Sequence, residues 1–143
     1  MRKVIIAGNW KMNKTIADAE VLAGSLKKSV GNVSEVEVVV CPPYTALAAV
    51  KDIVQGSNIR LGAQDCYWEK EGAFTGEVST AMLKDAGCEY VIVGHSERRQ
   101  FFHETNETVN KKAKALLKDG LKPIVCVGEK LDERKAGKTF DVV

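Results

Sequence analysis

Lys11, with Asn9 two residues before it, is the first place in this sequence where residue type and spacing suggest chemistry. A lysine just past an apolar run is a compact point charge that can neutralise an anionic ligand. Asparagine beside it can donate to a carbonyl or phosphate oxygen. The same two residues also suit a surface lysine and a turn asparagine, and composition alone leaves both readings open. His95 follows Gly94 at the end of another apolar run, and Ser96-Glu97 opens a short helix. At a helix N-terminus the dipole disfavours protonation of an imidazole. A neutral imidazole can polarise a carbonyl by donating a hydrogen bond, and a structural capping histidine is the competing reading. Glu97 either pairs with Lys11 or is a helix-start carboxylate serving only the dipole.

The segment from Gln64 to Val78 is longer than an ordinary strand-to-helix link, which marks it as functional or as an interface. It carries Tyr67, Trp68 and Phe74. A wholly solvated loop would not favour three aromatic rings, so packing on a partner is expected, with packing inside the chain as the alternative. His103 lies at a helix end with no catalytic neighbour in view. The four cysteines, Cys41, Cys66, Cys88 and Cys126, are scattered, with no C-x-x-C pair. No metal site is expected from them, and buried free thiols in a reducing, cytoplasmic setting fit best.

Short apolar runs alternate with amphipathic segments, and these must position the residues above. The runs are Val4–Ala7, Val36–Val40, Ile59–Ala63, Tyr90–Val93 and Ile124–Val127. Between them, Thr15 with Asp18 three residues on predicts a helix start, and Gly31 its stop. Leu22, Leu26 and Val30 share a face of that helix. A second helix follows Pro42-Pro43, with Leu47, Val50 and Val54 on one side. A short one runs from Ser79 to Gly87. The fourth extends from about Thr105 to Gly120, with Val109, Ala113, Leu116 and Leu117 at helical spacing. Strands this short and apolar are expected to be buried on both faces, as in a parallel sheet with helical crossovers. This pattern fits an open doubly wound sheet or a barrel. In either, the links after the strands, which hold Lys11, the long loop and His95, emerge together at the carboxyl edge, where ligands bind.

The chain has 143 residues, and its 21 basic and 19 acidic side chains give a net charge of +2. One domain spanning 1–143 fits that length. Both signs are mixed along the chain, so neither nucleic acid nor an anionic membrane is suggested as a partner. No apolar run approaches the roughly 20 residues of a spanning helix, and the N-terminus has no apolar stretch of signal-peptide length.

Three segments taken together carry a family resemblance: residues 7–13 (AGNWKMN), 63–79 (AQDCYWEKEGAFTGEVS) and 91–99 (VIVGHSERR). In order and spacing they resemble triosephosphate isomerase, and residues 124–129 (IVCVGE) fit that family's fifth strand. The resemblance runs from Met1 to Val143. It implies an α/β fold, an incomplete (β/α)8 TIM barrel of about five parallel strands with four to five helices. These would be βα units 1–4, strand 5 and the start of helix 5. It implies interconversion of dihydroxyacetone phosphate and glyceraldehyde 3-phosphate in glycolysis and gluconeogenesis, with no metal or organic cofactor. Carried over by residue, Lys11 and Asn9 would bind substrate and His95 would be the electrophile. Glu97, with Ser96 beside it, would hold the lysine. Thr75 would enter a neighbouring subunit's active site, and Glu77 and Arg98 would serve that interface.

The family's barrel has eight strands and about 250 residues. Neither the carboxylate base after its sixth strand, nor the lid behind it, nor the amides that grip the phosphate has a counterpart here. The chain by itself is therefore expected to be inactive and to associate through open strand edges and the 64–78 loop. A non-catalytic self-associating half-barrel and a small-phosphate-binding module are the alternatives.

Overall fold

The structure, a computed structural model, describes residues 3–143. Five parallel strands form one sheet in the order in which the chain makes them, β1-β2-β3-β4-β5. They are β1 (Ile5–Asn9), β2 (Glu37–Cys41), β3 (Ile59–Ala63), β4 (Tyr90–Val93) and β5 (Lys122–Val125). Each strand pairs with its predecessor, as right-handed crossovers in a barrel require. The middle runs Ile59–Ala63 and Tyr90–Val93 form strands with the bounds read from sequence. β1 and β5 are displaced by one or two residues, because pairing with β2 and β4 sets their register rather than the extent of the apolar run.

Among the described residues seven α-helices accompany the strands, more than the four to five expected. The major ones are α1 (Ile16–Val30), α2 (Leu47–Val54), α3 (Thr80–Asp85) and α5 (Asn106–Lys118). The additions are short: α4 (Ser96–Phe101) follows His95, while α6 (Leu131–Lys135) and α7 (Thr139–Val142) occupy the tail. α1 starts at the predicted capping box, with the Thr15 hydroxyl accepting from the Asp18 N–H and the Asp18 carboxylate accepting from the Thr15 N–H. Its buried face, however, is made by Ala19 and Ala23, with Leu22, Leu26 and Val30 only half-buried at its margins. Small side chains four residues apart let the helix approach closely, and the leucines flank the contact.

Alternation along the strands separates two apolar clusters. Val40, Leu61, Ala63, Val91 and Val93 face outward and pack with Leu47, Val50, Leu83, Val109 and Leu116 of the helices. Val39, Cys41, Tyr90 and Ile92 face the other way, where Ile124 and Cys126 join them. Gly62 sits in that inner layer, and a Cβ there would lie 2.6 Å from the Cys41 Sγ, so the layer is filled around it. The two outer strands are less covered: Ile6 of β1 is 59% exposed and Val125 of β5 is 47% exposed.

Charge organises the amino ends of the strands. Glu37 is buried at the start of β2. It accepts from the Tyr90 hydroxyl at 2.6 Å, pairs with Lys3, and has Lys122 Nζ at 3.7 Å. One carboxylate thus ties β1, β2, β4 and β5 together. The Lys3 ammonium and the Tyr90 hydroxyl hold its pKa down at about 2. Three further lysines cap helix ends across neighbouring units. Lys27 of α1 donates to the Ile53 and Gln55 carbonyls at the end of α2, at 2.9 and 2.8 Å. Lys51 of α2 donates to Asp85 O of α3 at 3.3 Å, and Lys84 of α3 to Asp119 O beyond α5 at 3.0 Å. Each places a cation on the negative end of the next helix.

Candidate functional site

The carboxyl ends of the same strands bring Asn9, Lys11, Gln64, His95 and Glu97 to one cleft, together with Tyr44, Asp65 and Arg98. The loop after β1 turns sharply at Lys11, whose φ is +55°. That left-handed conformation costs a non-glycine residue energy and must be held by its surroundings. Asn9 supplies one support, its Oδ1 accepting from the Lys11 N–H at 2.9 Å. Gln64, just past β3, supplies another: its Nε2 donates to Lys11 O at 2.9 Å and to Cys41 O at 3.0 Å. The Trp10 N–H donates to the same Cys41 carbonyl at 3.1 Å.

So held, Lys11 reaches across the cleft and donates to Glu97 Oε1 at 2.7 Å. The partnership read from sequence is present, and the ammonium keeps the Glu97 carboxyl below the usual glutamate range. Both side chains remain about half exposed, at 50% and 42%, so the lysine can still meet a ligand.

His95 caps α4. Its Nδ1 accepts from the Glu97 N–H at 3.2 Å. That bond requires a lone pair on Nδ1, which in a neutral ring leaves the proton on Nε2; Glu97 Oε2 also lies 3.4 Å from Nδ1. The turn that delivers His95 depends on Gly94, which has φ +73°. A Cβ there would meet Arg99 Nη2 at 2.9 Å, Val109 Cγ2 at 3.0 Å and Cys126 O at 3.1 Å. Arg99 closes the turn from outside, donating through Nε to Gly94 O at 2.7 Å. Ser96 follows as the first, exposed residue of α4.

The 64–78 loop is tied at its root by a bridge between Tyr67 and Ser79. Its aromatic residues stack on one another, Tyr67 on Trp68 at 4.1 Å and on Phe74 at 4.7 Å between ring centroids. Thr75 and Glu77 lie exposed near the tip, away from the Lys11–His95 cleft. Arg98 lies apart from them, on the cleft, with its Nε 2.8 Å from Asp65 Oδ2 and 3.8 Å from Glu104 Oε2. His103, φ +55°, is exposed and takes no part in the cleft.

Behind the cleft lies a cluster that the sequence reading missed. Lys112 is 5% exposed, and its Nζ meets Asp65 Oδ1 and Oδ2 at 2.7 and 2.9 Å and also Glu104. Burial pushes the Asp65 carboxyl up, while the Lys112 ammonium and the Arg98 guanidinium oppose it. A signal was available: Lys112 lies three residues after Val109 and four before Leu116, on the buried stripe of α5. Leu117, expected on that stripe, is 65% exposed. Burial also pushes the Cys41, Cys66 and Cys88 thiols up to about 12, so they are inert packing groups. Among the described residues, no group of three or more His, Cys, Asp or Glu side chains could hold a metal ion. Among the described residues, no helix is long and apolar enough to cross a membrane.

Comparison with known proteins adds kinship to this geometry. The family model described as triosephosphate isomerase matches residues 4–143. The triosephosphate isomerases of Alkaliphilus oremlandii and Moorella thermoacetica are each 59% identical to the chain over all 143 residues, and that of Endomicrobium trichonymphae is 58% identical. The chain spans 57% of the length of these curated relatives.

Proposed function

The chain belongs to the triosephosphate isomerase family, and from that premise we propose that its cleft supplies two components of the isomerisation of dihydroxyacetone phosphate and glyceraldehyde 3-phosphate. The observation that carries this reading is the convergence of Lys11 and His95, from two different strand ends, on one residue, Glu97: Lys11 on its carboxylate and His95 on its backbone N–H. Lys11 would bind the anionic substrate as a point charge, with Asn9 holding its loop. His95 would donate from Nε2 to a substrate oxygen as negative charge develops there, which is where a hydrogen bond lowers a barrier most. Glu97 would orient both.

The 143 residues alone would not turn the substrate over. Abstraction of a carbon-bound proton needs a free carboxylate or similar base within reach. The carboxylates lining the cleft are Glu97 and Asp65. Glu97 is taken by Lys11, and Asp65 by Lys112 and Arg98. The base would come from the part of the relatives' length that this chain does not span. We assign no cofactor, and place the protein in the cytoplasm as a homo-oligomer. The exposed β1 and β5 edges and the 64–78 loop, with Thr75, Glu77 and Arg98, would provide the contacts. Light scattering at micromolar concentration tests that assembly, and a folded particle of 15.6 kDa would refute it.

The decisive assay compares the chain alone with a chimaera continued from Val143 by the corresponding C-terminal part of the Alkaliphilus oremlandii relative. The chain alone should show no isomerase activity, and the chimaera should be active. In the chimaera, Lys11→Met should abolish most substrate binding, and His95→Gln should lower kcat more than it raises KM. A chimaera indifferent to both substitutions would refute the assigned roles.

A further inference from the structure

Gln64 and Asp65 are adjacent in sequence, and they hold opposite sides of the Lys11–Glu97 contact. Gln64 fixes the backbone of Lys11 through Lys11 O. Asp65 meets Arg98, the residue after Glu97 in α4, at 2.8 Å. Asp65 is itself pinned: its carboxylate by Lys112 and its backbone carbonyl by the Tyr44 hydroxyl at 2.6 Å. It is 4% exposed, and its carboxylate lies against Lys112 and Arg98.

We infer that Asp65 is a positioning residue for this site, its charge drawing Arg98, and with it the first turn of α4, to the distance at which Glu97 meets Lys11. The inference rests on the proposed isomerase role only in naming what the pair is for.

Charge, rather than hydrogen-bond geometry, makes the link. The Arg98 Nε–H has no aligned hydrogen-bond acceptor although Asp65 Oδ2 lies 2.8 Å away. An asparagine in this place keeps the shape and an acceptor for Lys112 but removes the attraction for Arg98. The buried group then holds Lys112, Arg98 and Glu104 with one carboxylate fewer, and the two cations repel. α4 has six residues and its own interior contacts are few, since none of its residues is fully buried. Among the described residues, the other carboxylate paired with Arg98 is Glu104, at 3.8 Å.

The test reads the pair itself, not catalysis, so it stands or falls apart from the isomerase assignment. The Glu97 carboxylate is titrated by carbon-detected NMR in the 143-residue chain and in Asp65→Asn. Two mechanisms give opposite signs. Removing a negative charge nearby, with the geometry intact, favours the ionised form of Glu97 and moves its midpoint further down. Loss of positioning parts Glu97 from Lys11 and moves the midpoint up to the ordinary glutamate value of about 4.3. The inference expects the upward shift, with the Lys11 side-chain signals moving in the same variant. A midpoint that stays or falls would overturn it. Should Asp65→Asn not fold, Arg98→Lys keeps the charge balance and breaks the same contact by reach. It should raise the Glu97 midpoint likewise, and an unchanged midpoint there would also overturn the inference.

Discussion

The two ends of the five strands use their best-placed lysines differently. At the amino ends one buried carboxylate and three lysines are spent on the fold itself, beside a half-exposed pair, Arg60–Glu89. Glu37 is shared among Lys3, Tyr90 and Lys122, and Lys27, Lys51 and Lys84 each sit on the end of a neighbouring helix. At the carboxyl ends, Lys11 has one half-exposed carboxylate as partner and a left-handed backbone, and shares its cleft with His95. A cation already saturated by carbonyls or buried carboxylates stabilises the fold and has nothing left for a ligand. A cation on a single exposed partner adds little stability and can exchange that partner for a substrate. Function here is a matter of which charges are left incompletely satisfied.

That contrast can be broken at several points. The largest effect belongs to Lys112, which lies behind the functional edge yet behaves as the amino-end charges do. Lys112→Met leaves Asp65 and Glu104 buried with only Arg98 between them, and should cost about 3–5 kcal/mol in urea unfolding. A loss below about 1 kcal/mol would mean that water reaches those carboxylates. Next is Glu37→Gln, which removes the charge shared by four strands and should cost about 1.5–3 kcal/mol.

The pH dependence of that loss sharpens the comparison. The folded pKa of Glu37 is depressed to about 2 from 4.5. Its contribution is therefore complete above about pH 4.5 and disappears as the pH falls toward 2. The difference in urea midpoint between the parent and Glu37→Gln should stay constant from pH 7 to about 4.5 and close below that. A difference that closes instead between pH 7 and 5 would assign the effect to another group. Smaller again, Lys51→Met should cost about 0.5–1 kcal/mol through one lost helix cap. The smallest change in stability should come from Lys11→Met, a few tenths of a kcal/mol, because its pair is half exposed. If Lys11→Met proves as destabilising as Lys51→Met, the division between the two ends fails.

Much of this was legible from sequence because it depends on local pattern. The valine run before Cys41, the Thr15–Asp18 capping box and the Gly94-His95 turn each announce themselves within a few residues. The Lys11–Glu97 pair was legible because both follow strands and so must share an edge. What escaped is non-local. Lys112 looks like one more charge among Lys111, Lys112 and Lys114, and its burial depends on Asp65, 47 residues away, and on Glu104. Glu37 looks like an interruption in an apolar run, and only the registers of β2 on β3 and of β3 on β4 set Tyr90 beside it. The burial of Ala19 and Ala23 in place of the leucines of α1 follows from how closely that helix approaches the sheet, which its own period does not specify.

The lysine caps have a direction. Each donor precedes its acceptor in the chain, Lys27 by 26 residues to Ile53, Lys51 by 34 to Asp85, and Lys84 by 35 to Asp119. Each strand likewise pairs with the one made before it. During synthesis, α2, α3 and α5 would each therefore meet a neighbour already holding a cation for its carboxyl end. The loops to be closed stay short and nearly equal as the chain lengthens, so the entropy lost at each addition is nearly constant. A chain arranged in this way can grow its fold one unit at a time, in the order of its messenger.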